Sequence, residues 1–497
     1  MPRSESSPLN LYNHFIQQNS IRNHTSHFSW QWNAARVSVW TVLLAALFVL
    51  PLCLPFPASA SPVIARSLTE ALASAYTNNP RLLAERAQLR ATDEKLPQAL
   101  ADWRPTVDLN ASRGFGHQDI SGGSALQNSL FQGQLPTNAY GATVTEPLFR
   151  GGRTVAASTQ ARAEIYAERA NLLSVEQTVL LQVVTDYANI LLDQATLDIR
   201  IEAEQALDTI FRGTSARYTG GEVGRTDLAT AEAAYRGAAA QRMLAQSDLD
   251  AARLLFQRDT GVLPAKLEYP SAKPVLPIDV TQASDFAAKL NPDVVAAQYH
   301  ARAASAAIDE AIGQALPEVD LQLGYDHQDD GSFKHSREDT ESLQFLLKWR
   351  LYQGGANESR AREAAQTLAM YRAQIDSARQ KAAADAGTAW TKLELSRAVI
   401  ESLRLQVRAS ETSRTGVQLQ QRAGERSLLD VLAAERDLRD AKISLAQAQH
   451  EELVQEYTLL AALGGMTAGQ LRLPVVIYDP IANYNEFRGS WFGFGID

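Results

Sequence analysis

The spacing of apolar residues changes between two periods along the chain. Across 152–214, apolar residues such as Val175 and Val179 recur at steps of three and four, and no proline interrupts them. Such spacing keeps one face of a helix apolar. Around Val107 and Leu109 the period is two instead, as in a strand with one apolar and one polar face. The pattern therefore predicts long helices interrupted by strands.

Four stretches show the alternation of a strand. They begin near Val107, Tyr140, Val319 and Leu343. The connections within each pair of strands are polar and rich in glycine, which predicts surface loops. These loops span about 118–138 and 328–340. A half-buried soluble sheet would show the same alternation, but in an exported chain strands of about ten residues also match a transmembrane β-barrel.

The same order of elements occurs twice. The Asn-Pro pair at 79–80 recurs at 291–292, an offset of 212 positions. Gly152–Gly261 recurs as Gly355–Gly464, and here the offset is 203 throughout. The helical stretch has thus kept its length, whereas the strand region before it has become shorter. An internal repeat constrains the fold more strongly than any single motif.

Residues 1–60 are predicted to be a signal peptide. Arg36 precedes an apolar run, and Ala58–Ala60 supplies the small-x-small pattern that signal peptidase cuts. A transmembrane anchor is the alternative, but the prolines inside the run favour cleavage and export. Leu52 precedes Cys53 where lipoprotein processing requires a small residue, so lipidation is disfavoured. The long region before Arg36 leaves the true start open.

The rest of the chain divides into three parts. They are a first repeat at 61–270, a second repeat at 271–470 and a C-terminal tail at 471–497. Each repeat is predicted to contain a helix, a β-hairpin and a long helical hairpin. Because Cys53 is the only cysteine, the mature chain would have neither disulfides nor thiolate metal sites.

Composition excludes several functional classes. Hydrophobic residues make up 45% of the chain and aromatic residues only 7%, which suits closely packed helices. The net charge of −9 argues against a nucleic-acid partner, because such proteins carry a basic face. The sequence has no Ser/His/Asp arrangement, phosphate-binding glycine loop or metal-ligand spacing. We therefore predict neither an enzyme nor a bound cofactor.

Four strands cannot close a transmembrane barrel, since the smallest bacterial barrels use about eight strands. The open edges of such a sheet would leave backbone groups without partners in lipid. If the predicted sheet crosses a membrane, the protein must therefore be an oligomer. A trimer would supply twelve strands.

Several motifs recur in the order and spacing of a known family. They are Asn79-Pro80, Trp103–Pro105, Glu146–Gly152, Leu351–Gly355, Gly424–Leu432, Tyr478–Pro480, Asn483-Tyr484 and Trp491–Gly493. Together they resemble the TolC-type outer-membrane factor family. The resemblance implies a homotrimer of mixed fold. A twelve-stranded transmembrane β-barrel, four strands per chain, lies in the outer membrane of a Gram-negative bacterium and is continuous with a long α-helical barrel in the periplasm.

The resemblance also implies a passive exit duct. Its partners would be a periplasmic adaptor (membrane fusion protein), an inner-membrane ABC or proton-driven pump, and outer-membrane lipid. Type I protein secretion is favoured by the tail and by the missing lipoprotein motif, with multidrug efflux as a second role. A periplasmic adaptor and a structural coiled-coil protein are the alternatives, and the alternating strands count against both.

A gate at the tips of the helical hairpins follows from the same resemblance. The pattern Gly-x-Arg-x-x-x-Asp-Val-Leu places a constriction arginine at Arg426 and an acidic ring at Asp430. Their partners in the first hairpin are Thr226 and Asp227, and Gln421 lies where a tyrosine can contact that aspartate. Three carboxylates around a pore would attract cations. Alternatively, Arg426 and Asp430 form an ordinary surface pair on one helix face.

The turns that end the long helices are candidates for adaptor docking. The residues are Gly221, Gly424, Leu228, Leu429 and Leu432. The alternative is that glycine only permits a tight turn and leucine only packs the hairpin. Both interpretations can hold at once.

Overall fold

The computed structural model describes residues 64–118, 124–125, 133–270, 273–329, 336–491 and 493. The predicted signal peptide, the alternative anchor and Cys53 lie outside these residues. In the described part of the chain, no helix combines the length and the hydropathy needed to cross a membrane.

The first repeat has the predicted order of helix, hairpin and helical hairpin. Its elements are β1 (Ile64–Ala65), α1 (Leu68–Asn78), α2 (Pro80–Asp93), α3 (Lys95–Ala101), β2 (Thr106–Gln118), β3 (Gly133–Phe149), α4 (Arg153–Thr219), α5 (Arg225–Thr260) and β4 (Leu263–Pro264). The short strands β1 and β4 pair in parallel. Ser67 begins α1 with a capping box that includes Glu70, because each side chain bonds the other's backbone N–H.

The second repeat follows the same order, and the tail adds one short helix. Its elements are α6 (Val280–Leu290), α7 (Pro292–Gly313), β5 (Glu318–Asp329), β6 (Arg337–Lys348), α8 (Ala356–Arg422), α9 (Leu428–Ala462) and α10 (Ala482–Phe487). The long helices α4 and α8 each have 67 residues, or about 100 Å at 1.5 Å per residue. Their equal length agrees with the constant offset. Both continue past their expected ends to the turn glycines, because nothing earlier breaks the helix.

The Asn-Pro pairs join helices end to end. Asn79 caps α2 by accepting from the Arg81 N–H at 3.0 Å, and its amide donates to the Asp259 carbonyl at 2.9 Å. Asn291 makes the same contact one repeat later, donating to the Ala462 carbonyl at 3.1 Å. Asn79 thus connects the start of α2 to the last turn of α5, and Asn291 connects the start of α7 to the last turn of α9. The helices α5 and α9, which run back from the tips, are called the returning helices. The helices before the strands, α2 and α7, therefore stack end to end with α5 and α9 along the long helices.

The four long strands form one antiparallel sheet in the order β2-β3-β5-β6. Val107 lies opposite Val144 in the first hairpin, and Val319 lies opposite Leu347 in the second. The strands β3 and β6 begin earlier than the loop boundaries predict. Within the described residues, β2 and β6 are edge strands with one side unpaired.

The sheet has one apolar and one polar face. On the apolar face, Leu109 is 82% exposed and Phe345 is 72% exposed in the chain. On the polar face, Asn110, Gly141 and Asp326 are neighbours in one row. A Cβ atom at Gly141 would overlap the Asp326 carboxylate and lie 3.0 Å from Asn110 Oδ1. The polar side chains therefore converge over a glycine, an arrangement suited to a water-filled interior.

Helix packing is asymmetric between the repeats. The helix α4 packs against α1, α2, α3 and α5 of its own repeat and against α7 and α9 of the second. The helix α8 packs against α6, α7 and α9. As a result Ala167 in α4 is fully buried, whereas its counterpart Met370 in α8 is 47% exposed. One side of α8 is therefore open in the described chain.

The C-terminal tail lies along α2 and reaches the base of the sheet. Asn483 Nδ2 donates to Asp93 Oδ2 at 3.1 Å. Further along, Arg104 Nη1 donates to the Ser490 carbonyl at 2.6 Å, and its guanidinium lies 4.9 Å from the centre of the Trp491 ring. The tail therefore connects the helices to the junction that precedes β2.

A buried carboxylate pair lies where α4 meets the end of α5. Asp186 is 3% exposed and accepts from Gln182 Nε2 at 2.9 Å. Burial, followed by its contact with the Asp259 carboxylate, raises the pKa of Asp186 to about 6. Arg258 donates to both Asp259 oxygens at 2.8 Å and holds the pKa of Asp259 below its usual value. Below about pH 6 the fold therefore favours protonated Asp186 beside ionised Asp259.

Asp186→Asn is expected to stabilise the folded protein above pH 6. The raised pKa means that the folded chain binds a proton that the unfolded chain has released, so this contribution is full below the unfolded pKa of about 3.9. It is lost as the pH rises through about 6. Thermal unfolding in detergent at pH 5 and pH 8 should show a smaller pH difference for the variant. Asp198→Asn is the matched control, because exposed Asp198 accepts from Gln194 in the same helix and spacing.

Candidate functional site at the helical tips

Glycines form the turns at both helical tips. Gly221 has a φ of 75° and Gly424 a φ of 83°, a left-handed conformation that other residues adopt at a cost of about 1–2 kcal/mol. The N–H groups of Glu222 and Glu425 each bond a carbonyl five residues earlier, at 2.9 Å, which closes the helix as in a Schellman turn. A Cβ atom at either glycine would contact nothing within 4 Å. The left-handed backbone conformation accounts for the presence of glycine at both positions. The role of these glycines in adaptor docking stays a prediction.

Asp430 caps the second returning helix. Ser427 is the N-cap of α9, and its N–H and hydroxyl both donate to Asp430 Oδ2 at 2.9 Å. These hydrogen bonds hold the pKa of the Asp430 carboxyl below its usual value, with a smaller contribution from the positive charge of Arg426. Asp430 is therefore ionised at neutral pH. Its carboxylate is fixed at the start of the helix, where negative charge is favoured.

The expected helical pairing of Arg426 with Asp430 is wrong. The helix α9 begins at Leu428, so Arg426 lies before the N-cap and the two side chains do not share a helix face. Arg426 Nε donates instead to Gln420 Oε1 at 3.3 Å. The neighbouring Gln421 contributes its carbonyl to the turn, accepting from the Gly424 N–H at 3.0 Å. The exposed guanidinium of Arg426 keeps further donors for another partner.

The first tip has no equivalent cap. Gly224 occupies the N-cap position of α5 without a side-chain hydrogen bond, and Thr226 and Asp227 are exposed in the first turn. Among the residues that the structure describes, no hydrogen bond or ion pair joins Thr226 or Asp227 to Arg426 or Asp430. One chain does not bring the predicted gate residues into contact, so their role as a gate stays a prediction.

A groove of about 480 Å³ runs between the two hairpins near the tips. Leu429 and Leu432 of α9 line it, and Leu429 is 64% exposed. The opposite wall consists of small residues of α5, including Gly237 and Ala238. Of the five candidates for adaptor docking, only Leu429 and Leu432 line the groove. The other three, Gly221, Leu228 and Gly424, lie outside it.

Sequence reasoning missed the polar residues of this groove. Gln241, Arg436 and Arg439 also line it. The run of small residues at 231–240 could have indicated a close-approach surface, but only tertiary packing places it opposite α9. In the described parts of the chain, no cluster of three or more His, Cys, Asp or Glu residues has the geometry of a metal site.

Comparison with known protein families identifies the family of this chain. The family model described as outer membrane efflux protein matches residues 71–260 and 284–465, which are most of both repeats. The chain belongs to the outer membrane efflux protein family. The two matched segments correspond to the two copies of the internal repeat.

Several relatives support this membership. The chain is 31% identical to the outer membrane efflux protein BepC of Brucella suis over 431 residues, covering 86% of this chain and 92% of BepC. It is 24% identical to the outer membrane protein TolC of Escherichia coli, covering 82% and 84%. It is also 23% identical to the alkaline protease secretion protein AprF of Pseudomonas aeruginosa, covering 60% and 64%.

A solved structure shares the fold. The Campylobacter jejuni CmeC outer membrane channel matches with a TM-score of 0.73 at 15% identity, covering 85% of this chain and 89% of CmeC. This efflux protein therefore has the fold of an outer-membrane channel protomer, in which a four-stranded sheet is joined to long helical hairpins. It is an outer-membrane channel of a Gram-negative bacterium and not an enzyme. The periplasmic-adaptor and coiled-coil alternatives are excluded.

Proposed function

We propose that this efflux protein is the exit duct of a tripartite export system. Cargo would pass from an inner-membrane ABC or proton-driven pump, through a periplasmic adaptor, into a passive channel across the periplasm and outer membrane. The observation that carries the proposal is the pair of 67-residue helices that run from an amphipathic sheet to exposed tips. Helices of about 100 Å separate the membrane end from the end available to partners.

The working unit in this proposal is a homotrimer. The edge strands β2 and β6 each have one unpaired side in the chain, and lipid supplies no hydrogen bonds for them. Three copies pair these edges and supply twelve strands. The exposed apolar face of the sheet, which includes Leu109 and Phe345, would then contact outer-membrane lipid, and the polar face would line the channel.

The tips in this proposal form the gate. Three copies of Asp430, each held by Ser427, would place a ring of carboxylates around the periplasmic mouth. Arg426, which projects from the turn before α9, would contact Thr226 or Asp227 of a neighbouring subunit and hold the mouth closed. The exposure of Thr226, Asp227 and Arg426 in one chain supports contacts between subunits.

Adaptor docking would use the groove between the hairpins. Leu429 and Leu432 supply apolar contact area there, and the small residues of α5 permit close approach of an incoming helix. Arg436 and Arg439 also line the groove. Each pairs with the aspartate that follows it, at 3.6 Å to Asp437 and 3.0 Å to Asp440, and each has further donors that can bond carboxylates of the adaptor. Gly221, Gly424 and Leu228 would shape the tips that enclose the groove.

Type I protein secretion is the cargo route that we favour. The motifs of the C-terminal tail support this choice, together with the similarity to AprF, which is named as a secretion protein. Small-molecule efflux is the second candidate, since the name of BepC describes an efflux protein. Both routes use the same duct, and the pump selects the cargo.

Deleting this chain from its native bacterium is expected to remove at least one protein from the culture medium, and a plasmid copy should restore it. Mass spectrometry of the medium measures this result, and drug susceptibility measured in the same strains reports efflux. An unchanged medium with increased drug susceptibility would assign the duct to efflux. No change in either measurement would contradict the proposed export role.

A further inference from the structure

We infer that Asp186 and Asp259 form a proton-dependent lock at the base of the first helical hairpin, closed at acidic pH and loosened at alkaline pH, and that the second hairpin has no such lock. The lock lies where α4 packs against the end of α5, beside the junction at which Asn79 joins α2 to α5. It belongs to a single chain and is independent of the proposed trimer and gate.

A buried oxygen without a partner marks the lock. Asp186 is 3% exposed, and it accepts a hydrogen bond from Gln182 Nε2 through Oδ1 at 2.9 Å. Its Oδ2 is buried and has no hydrogen-bond partner among the residues that the structure describes, although the Asp259 carboxylate contacts the Asp186 side chain. Two ionised carboxylates can only accept, so they cannot bond each other. A proton on Asp186 supplies the missing donor.

The charges around the pair do not replace this proton. Arg258, also on α5, donates to both oxygens of Asp259 at 2.8 Å, so its charge is placed on Asp259 and not on Asp186. From α1 and α2, the neutral side chains of Ser74 and Asn79 bond carbonyls in the last turn of α5. When Asp186 ionises, its charge is therefore buried beside a second carboxylate, which is costly.

Two further titratable groups lie on neighbouring parts of α4 and α9. Burial raises the pKa of Asp193, about two helical turns along α4, and the charge of Asp248 on α5 adds to this shift. From α9, His450 Nε2 lies 2.8 Å from Asn189 Oδ1, and burial lowers the pKa of His450. Both groups titrate as the pH changes. Substitution of Asp186 alone separates its contribution from theirs.

The second hairpin repeats the junction without the carboxylates. At the offset of 203, Ala389 corresponds to Asp186 and Ala462 corresponds to Asp259. Ala389 is 2% exposed and belongs to an apolar cluster. The Ala462 carbonyl accepts from Asn291, which is the same backbone contact that the first junction makes. Both repeats therefore share the junction, and the titratable pair belongs to the first.

Burial determines the sign of the pH dependence. Burial and the neighbouring carboxylate raise the pKa of Asp186 to about 6, so the closed lock holds a proton that an opened, hydrated lock releases. The contribution to closure is full below the pKa of a hydrated aspartate, about 3.9. It is lost as the pH rises through about 6. Between pH 5 and pH 8 this linkage lowers the ratio of closed to open junction about tenfold.

Hydrogen exchange of backbone amides in the trimeric protein in detergent tests the lock. Protection, the factor by which the fold slows exchange, is compared between peptides from the ends of α5 and α9 in the same sample. The second junction thus corrects for the pH dependence of exchange itself. We expect protection at the first junction, relative to the second, to be about tenfold greater at pH 5 than at pH 8.

Three variants give the lock a sharp test. Asp186→Asn cannot ionise and keeps an amide donor for Asp259, so it should stay protected at pH 8 and lose most of the pH difference. The double variant Asp186→Ala with Asp259→Ala makes the first junction resemble the second and should lose the difference as well. Asp198→Asn is the matched control, because exposed Asp198 accepts from Gln194 at the same spacing. It should keep the full pH difference.

One result supports the lock, and two results would overturn it. Support is a pH difference that is present in the wild-type protein and in Asp198→Asn and absent from both Asp186 variants. A wild-type protein without the difference would contradict the lock directly. A difference that persists in the Asp186 variants would assign it to Asp193 or His450 instead. The double variant decides the question if Asp186→Asn does not fold.

Discussion

Replacing Asp430 by alanine is expected to raise single-channel conductance and to weaken block by divalent cations in planar bilayers. Each trimer would lose three carboxylates from its narrowest ring, and such rings concentrate cations and bind them. We expect the blocking concentration to rise by roughly tenfold, equivalent to about 1.4 kcal/mol of binding. Because hydrogen bonds from Ser427 keep the pKa of Asp430 low, block of the wild-type channel should be similar at pH 7 and pH 5.

A control variant separates charge from helix capping. Ser427→Ala removes the N-cap donor at a cost of about 1 kcal/mol but leaves the carboxylate, so block should persist. Unchanged block in Asp430→Ala would remove this residue from the gate. Equal loss of block in Ser427→Ala would assign the effect to the turn.

Arg426→Ala or Thr226→Val is expected to make cells permeable to large antibiotics that the closed duct excludes. A hydrogen bond to a charged group contributes about 1.5–3 kcal/mol, so its loss should raise the open population roughly tenfold. Antibiotic susceptibility of cells with equal channel levels measures the effect. Thr226→Val retains the shape of the side chain and removes only the hydroxyl.

Arg225→Ala is the matched control for these two variants. Arg225 is an exposed arginine at the first tip. It is not one of the residues that we propose hold the mouth closed, which are Arg426, Thr226 and Asp227. Permeability that rises equally in Arg225→Ala would indicate a general loss of tip charge. If permeability rises in neither Arg426→Ala nor Thr226→Val, the contact with Gln420 is the only role left for Arg426.

The sequence predicted the helical hairpins well because their signals are local and duplicated. The constant offset fixed equal helix lengths, and the repeated Asn-Pro pairs lie at helix junctions in the structure. The strand faces were also predictable, since alternation depends only on neighbours along the chain. The ends of the long helices were not predictable from the sequence, because a helix continues until a glycine or a capping residue ends it.

The local structure around the proposed gate residues was predictable only in part. Ser427 and Asp430 have the spacing of a capping box, which was a readable signal for the helix start that separates Arg426 from Asp430. The groove beside Leu432 required tertiary packing, because its two walls are separated by about 200 residues. Contacts between the tips depend on other subunits, and no pattern within one chain specifies their distances.

The asparagine junctions have a mechanical consequence. Asn79 and Asn291 each join two stacked helices through one amide and one carbonyl, while the long helices beside them are continuous. At the first junction Ser74 Oγ also donates to the Thr260 carbonyl, at 2.9 Å. Force along each stack is therefore transmitted across its junction by side-chain hydrogen bonds, whereas in the neighbouring long helix it is transmitted by an unbroken ladder of backbone hydrogen bonds. We expect the stacked helices to separate at these junctions before the long helices break.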